Sequence, residues 1–402
     1  QQADATFPGL APRCVKDQIE EQLFARRRDL FTDLSLVFFD TTSIHFEGEG
    51  GETIGQYGHS KSHRPDLKQM VVGVVLADDG TPICSEMWPG NTTDVTTLLP
   101  VIRRLKNRFG IGRVCVVADR GMISDKTIRQ IETKHPDLKY ILGARMRSDH
   151  EVRDVALGWP GRYQEVYGPR QKSKDPSPLK VKEVRFTTED GEDRRYIVCH
   201  NEEQAAKDRA DREAILAGLA DKLKQGDKAL VGNKGFRKFL KARGRRFEID
   251  QKKVRDEARF DGKWVLRTNW QEAEAAEVAL QYKQLWRVEA IFRTMKSVLE
   301  TRPIYHQCDQ TIRGHVFCSF LALVLRKTLE DRLADAGLKL EWADVLRDLD
   351  RLRQFTVRNG ASTCLLRSSI VGVAGKVLQA AGVALGPPVQ FVSGTRADAK
   401  ED

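Results

Sequence analysis

The sequence predicts an α/β protein, a mixed sheet flanked by helices and interrupted by an inserted β-rich subdomain. Three observations predict it. Short apolar runs rich in β-branched residues alternate with segments of helical spacing over the first third of the chain. That alternation breaks after Arg147, in a stretch rich in Gly, Pro and charge. Helical spacing resumes near Ala273 and continues through two long segments.

The elements follow in order. Residues 16–33 read as a charged helix, and 35–45 as a strand of β-branched and aromatic residues. Residues 47–51 form a glycine-rich turn, and 57–68 a polar, basic loop. Residues 69–77 make an apolar strand. Asp78, Asp79 and Gly80 are a hairpin signal leading into a strand at 82–88. Leu98, Leu99, Ile102 and Leu105 share one face of a helix within 93–109. A strand closing at Asp119, a helix at 124–134 and a strand at 140–142 complete the block. Three antiparallel strands, then helix, strand, helix, strand, is the RNase H-like order. Strands at 181–186, 195–199 and 263–268, with a charged helix at 202–224, predict an insertion with its own sheet. Helices at 273–299 and 311–336 return to the core, and a polar tail follows Leu385. The expected organisation is a helical lead-in at 1–33, an RNase H-like core at 34–146 and a basic β-rich insertion at 147–270. The second part of the core, with its catalytic helix, follows at 271–345, then a helical region and tail at 346–402.

A chain of 402 residues has room for two or three domains. Its formal net charge of +10 favours a polyanionic partner. Between Lys222 and Arg246 stand ten Lys or Arg and one acid, Asp227. Such a run is either a solvated surface or a track for a phosphate backbone. Seven scattered cysteines without a C-x-x-C pair predict reduced core thiols of a cytosolic protein, not a disulfide frame or a zinc site. No apolar stretch reaches membrane-spanning length, so no membrane partner is expected. The chain opens at Gln1, and its first helix reads as entered midway, so a preceding N-terminal region is expected.

Three acids carry the chemistry. Asp40 and Asp119 each close an apolar run, and Glu289 lies in a helical segment. Strand-end carboxylates are held in direction by the sheet yet face an open edge. Hard divalent cations take such oxygen ligands, with few protein carboxylates and substrate phosphate oxygens completing the shell. Two ions roughly 3.5–4 Å apart stabilise both the attacking and the leaving oxygen of an in-line displacement. On the helix, Leu285, Val288, Phe292, Met295 and Leu299 form the buried stripe. Tyr282, Glu289 and Lys296, spaced by seven, line another side, and Arg293 stands one turn beyond Glu289. Taken alone, Glu289 reads rather as a surface residue paired with Arg293; the two aspartates tip it to the catalytic reading.

These motifs resemble the DDE transposases of bacterial insertion sequences, in the insertion-sequence-four-like branch. Phe39-Asp40-Thr41 matches the first motif, and Ala118-Asp119-Arg120-Gly121-Met122 the second. Tyr282, Glu289 and Lys296 match the Tyr-(2)-Arg-(3)-Glu-(6)-Lys signature, with Leu285 where Arg is expected. The resemblance implies that Asp40, Asp119 and Glu289 bind Mg²⁺, with Mn²⁺ able to substitute. It implies nicking and strand transfer on double-stranded DNA, both transposon ends and target. A homodimer in the DNA complex and a place at the bacterial nucleoid follow from the same resemblance. Tyr282, Arg293, Lys296 and Arg302 would meet phosphate, and Trp264 would stack on a flipped base; Trp264 is equally a core aromatic of its strand. Lys61, Arg64 and Lys68 of the basic loop, and Lys234, Arg237 and Lys238 of the basic run, are further candidates for DNA contact. His59 and His63 have zinc spacing only on a helix, and Gly58 and Pro65 argue for a loop. Thr92 or Asp94 would cap the helix that follows Trp88-Pro89-Gly90. Arg302 and His306 are either DNA-end contacts or part of a plain helix connection. Two rivals remain, a catalytically inactive DNA-binding remnant and a host nuclease of the same fold. A nucleotide-binding enzyme is disfavoured, because the turns lack G-x-G-x-x-G and G-x-x-x-x-G-K-[ST].

Overall fold

The chain enters through α1 (Val15–Arg27) and then runs along β1 (Ser35–His45), the strand on which the rest is organised. β2 (Gln69–Ala77) pairs antiparallel with β1, and β3 (Pro82–Pro89) antiparallel with β2. A short 3₁₀ turn at Asp94–Thr96 leads into α2 (Leu98–Asn107), β4 (Val114–Ala118), α3 (Asp125–Lys134) and β5 (Lys139–Gly143). β4 lies parallel to β1 and β5 parallel to β4. The order β3-β2-β1-β4-β5, with only the last two strands parallel to β1, is the RNase H-like arrangement expected from the sequence. The computed structural model describes residues 13–27, 35–61, 63–111, 114–122, 124–167, 178–224, 234–243, 246–359 and 362–392.

Alternation along β1 separates the two sheet faces. Val37 and Phe39 enter a core with Leu98, Ile102 and Leu105 of α2 and Ile128 and Ile131 of α3. Phe38, Asp40 and Thr42 therefore face the other side, by the period of two. A buried cluster ties α1 down. Arg104 of α2 pairs with Glu20 at 2.6 Å and Asp17 at 2.8 Å on α1, and with Glu86 of β3 at 2.6 Å.

The insertion departs from expectation. It contains β6 (Gln164–Val166), β7 (Leu179–Thr187), β8 (Asp193–His200), α4 (Glu202–Lys224), α5 (Lys234–Arg237), β9 (Leu240–Arg243), β10 (Arg246–Ile249), α6 (Gln251–Ala258) and β11 (Lys263–Thr268). Only β9 and β10 form a separate two-stranded sheet. The other four strands extend the core sheet to nine, in the order β5-β11-β8-β7-β6. The physical reason is the free edge of β5. Its unpaired backbone groups are a template, and β11 takes it, antiparallel to β5 and to β8.

The segment expected as one helix is two, α7 (Ala275–Lys283) and α8 (Trp286–Ser297). Between them the backbone tightens. Leu285 N–H donates to Tyr282 O at 3.0 Å and Val288 N–H to Leu285 O at 3.0 Å, the three-residue spacing of a 3₁₀ turn. α8 packs on β1 and β2, and α7 on β4, β5, β7 and β8. α9 (Asp309–Asp335) follows.

Residues 1–317 form one unit and 318–402 a second. In the second, α10 (Trp342–Asp350), β12 (Gln354–Asn359), β13 (Ser362–Arg367), α11 (Ala374–Ala381) and β14 (Val389–Val392) follow the end of α9. Leu333, Val345 and Val377 make its core. The expected helical region with a polar tail is thus corrected. A three-stranded antiparallel sheet, β12-β13-β14, stands there, because β-branched and aromatic runs flank the turns. Residues 393–402 lie outside the described residues.

Candidate active site

β1 and β4 align Phe39 with Ala118, so the residues that follow, Asp40 on β1 and Asp119 just past the end of β4, are neighbours, close enough for the Asp119 charge to act on Asp40. Asp40 is not at the end of its strand, as the apolar run alone predicts. β1 continues to His45 against β2, and only its pairing with β4 stops at Asp40. The carboxylate therefore sits where β1 loses a neighbour.

The electrostatics are under-compensated. Burial pushes the Asp40 carboxyl up to about 6, and the negative charges of Asp119 and Asp94 add to the rise. Lys61 and the Thr41 N–H, which donates to Asp40 Oδ1 at 2.7 Å, oppose it without cancelling it. Lys61 Nζ lies 3.6 Å from Asp40 Oδ1 and 3.1 Å from Asp94 Oδ2. Asp119 accepts a hydrogen bond from the Tyr282 hydroxyl at 3.1 Å. Burial and the Asp119 charge together hold that phenol well above its ordinary range. Gly143 makes room for the tyrosine, since a Cβ there would stand 2.5 Å from its hydroxyl oxygen. Lys296 donates to Thr42 Oγ1 at 2.6 Å, two residues along β1 from Asp40. Burial, then Arg302 and Lys61, lower its ammonium to about 8.

The transposase DDE domain model matches residues 32–325. The chain belongs to that family. No curated protein matches it. Among solved structures, this DDE-domain chain is similar to the piggyBac transposase synaptic complex with hairpin DNA, with 8% identity and a TM-score of 0.38 over 76% of this chain and 49% of that one. It is also similar to the Mos1 mariner paired end complex with Mn, with 15% identity and a TM-score of 0.19 over 34% of this chain and 46% of that one. The DDE-domain chain spans about half the length of either.

Asp40, Asp119, Tyr282 and Lys296 converge. Glu289 is exposed on α8, two helical turns before Lys296 and on the same helix face. Among the described residues, no three of His, Cys, Asp and Glu group to hold one metal ion, so Glu289 forms no three-carboxylate cluster with the aspartates here. Leu285 is buried at the helix break. Arg293 is exposed on α8, and Arg302 lies close enough to act on Lys296 and His45.

The basic loop splits by role. Lys61 reaches inward to Asp40, whereas Arg64 forks onto Asp66 at 2.8 Å and Lys68 pairs with Glu49 at the surface. His59 and His63 sit in that loop, exposed and off any helix. Trp264 is half-buried within β11, and its indole Nε1 is buried with no hydrogen-bond partner among the described residues. Lys238 pairs with Glu257 at 3.2 Å inside the insertion, while the side chains of Lys234 and Arg237 lie outside the described residues. His306 is exposed with its ring against His315. Of the cysteines expected in the core, Cys84, Cys115 and Cys199 are buried, but Cys308 and Cys318 are exposed.

Asp94 is the residue that sequence reading missed. It is not a side-chain cap, since Thr93 holds that position and makes no cap hydrogen bond. Instead its carboxylate accepts from Thr41 Oγ1 at 2.6 Å and faces Lys61. The one signal was its place just beyond the turn after β3, a position that spacing alone assigns to a cap.

Proposed function

We propose that this chain is a DNA transposase of the insertion-sequence-four-like branch, cleaving at the ends of a mobile element and joining them to target DNA with divalent metal ions. The observation that carries this reading is the Asp40–Asp119 pair, two neighbouring carboxylates of which Asp40 is left incompletely neutralised by its surroundings. An oxygen-only donor pair fits a hard cation, and mutual repulsion is what a dication relieves. Asp40 and Asp119 would hold Mg²⁺ or Mn²⁺, with Glu289 contributing from α8. The bound metal would supply Lewis acidity to the scissile phosphate and lower the pKa of an attacking hydroxyl. Tyr282 fixes the rotamer of Asp119 through its hydroxyl. Lys296, held on Thr42, offers its charge to a phosphate, and Arg293 and Arg302 extend that cationic side. A surplus of ten positive charges assists a polyanionic partner at low salt. Trp264 stacking on a flipped base, a homodimer in the DNA complex and a place at the nucleoid belong to the same proposal.

The test is strand cleavage and joining on DNA carrying the element's terminal inverted repeats, with Mg²⁺ and with Mn²⁺. Asp119→Asn should lower the cleavage rate by at least about a thousandfold, the scale of losing a group that acts on the reacting centre. Equal cleavage by Asp119→Asn and the parent would refute the site.

A second reading, an inactive DNA-binding remnant, is favoured by two observations. Leu285 is buried where the signature has a cation, and Glu289 joins no carboxylate cluster among the described residues. A remnant would bind DNA but show no Mn²⁺ affinity that depends on Asp40.

A further inference from the structure

We propose that Lys61 is a positioning residue that serves as the site's own counter-cation, partly offsetting the Asp40 charge in the metal-free chain and yielding that contact when a divalent cation enters the Asp40–Asp119 pair. The inference rests on the metal-site reading above.

Its basis is the asymmetry of the lysine's partners. The ammonium donates to Thr41 O at 2.7 Å and to Thr41 Oγ1 at 2.8 Å, and pairs with Asp94 Oδ2 at 3.1 Å. Asp40 is the farthest of its partners, at 3.6 Å, beyond hydrogen-bond length. The backbone is pinned as well, since Lys61 N–H donates to Ser43 Oγ at 2.9 Å. Asp94 completes the anchor by accepting from Thr41 Oγ1 at 2.6 Å. The charge is therefore held in place by groups other than Asp40, and only leans on it. Loss of the Asp40 contact leaves three good partners in place. Lys61 can thus withdraw without becoming an unpaired charge, and Asp94 does not need to bind metal to matter. Until metal arrives, the ammonium raises the local potential and competes with it.

The test is an Mn²⁺ titration by calorimetry of the full chain and of Lys61→Gln, Lys61→Arg and Asp40→Asn, each checked for folding by thermal melt. Lys61→Gln should bind Mn²⁺ at least about fivefold more tightly, the scale of removing one charge near a partly solvated site. Lys61→Arg, which keeps the charge, should stay within about twofold of the parent on the same scale. Lys61→Gln binding no more tightly than the parent, while Asp40→Asn loses binding, would overturn this inference alone. Equal binding by Asp40→Asn and the parent would overturn the metal site itself.

Discussion

Two places in this molecule gather three acids around cations, and they solve the electrostatics in opposite ways. Under β3, Asp17, Glu20 and Glu86 surround Arg104, with Lys16 on Glu20 at 2.9 Å and the Ser85 hydroxyl donating to Glu20 at 2.7 Å. The Asp17 carboxyl is held well below the ordinary range despite burial, because Lys16 and Arg104 outweigh it. Beside β4, Asp40 and Asp94 share one lysine that stands 3.6 Å from Asp40, the Asp119 charge adds to theirs, and Asp40 is pushed up to about 6. The first cluster is complete in itself and fastens α1 to the sheet. The second leaves the Asp40 carboxylate poorly matched. A carboxylate that folding leaves poorly matched is a better mark of function than the number of acids in a cluster.

The comparison is most exposed at Arg104. Arg104→Met should destabilise the chain by about 3–5 kcal/mol in urea denaturation, because it leaves buried carboxylates unpaired. A cost below 1 kcal/mol would mean that the first cluster is no fastening at all.

Asp40→Asn should do the reverse. A carboxyl whose folded pKa lies above its unfolded value favours the fold below the unfolded pKa, near 3.8, and that contribution is lost as pH rises through about 6. In chelator at pH 7.5, Asp40→Asn should therefore stabilise the chain by about 2–3 kcal/mol relative to the parent. The difference should shrink toward zero by pH 4. A variant equally stabilising at both pH values would break the contrast.

Gly143→Ala sharpens it. The new Cβ would press on the Tyr282 hydroxyl, at about 1–3 kcal/mol for overpacking. Adding Tyr282→Phe should remove most of that cost, a coupling that a double-mutant cycle reads directly. Smallest is Tyr282→Phe alone, about 0.5–1.5 kcal/mol for one lost hydrogen bond to Asp119.

The pattern of the sequence made much of this legible. β1, β2, β4 and β5 follow from runs of β-branched residues, and the neighbouring placement of Asp40 and Asp119 follows from their order. Tyr282 and Lys296 were visible because each stands seven residues from Glu289. What escaped depends on pairing that no local pattern encodes. The four strands that extend the core sheet read as an independent sheet, because edge pairing is decided by which partner is free. The break at Leu285 escaped because helical spacing on both sides hides one 3₁₀ turn. Asp94 escaped because a short acid after a turn is the usual sign of a helix cap. Lys61 was visible as a basic loop residue, but its turn inward was not.

The central claim is that Asp40 and Asp119 form one metal-binding pair while the Arg104 cluster does not. Mn²⁺ titration of the full chain, Asp40→Asn, Asp119→Asn and Glu86→Gln tests it most directly. Either aspartate change should weaken binding at least about a hundredfold, beyond what losing a supporting group costs, and Glu86→Gln should leave it unchanged. Equal affinity across all four proteins would contradict the account.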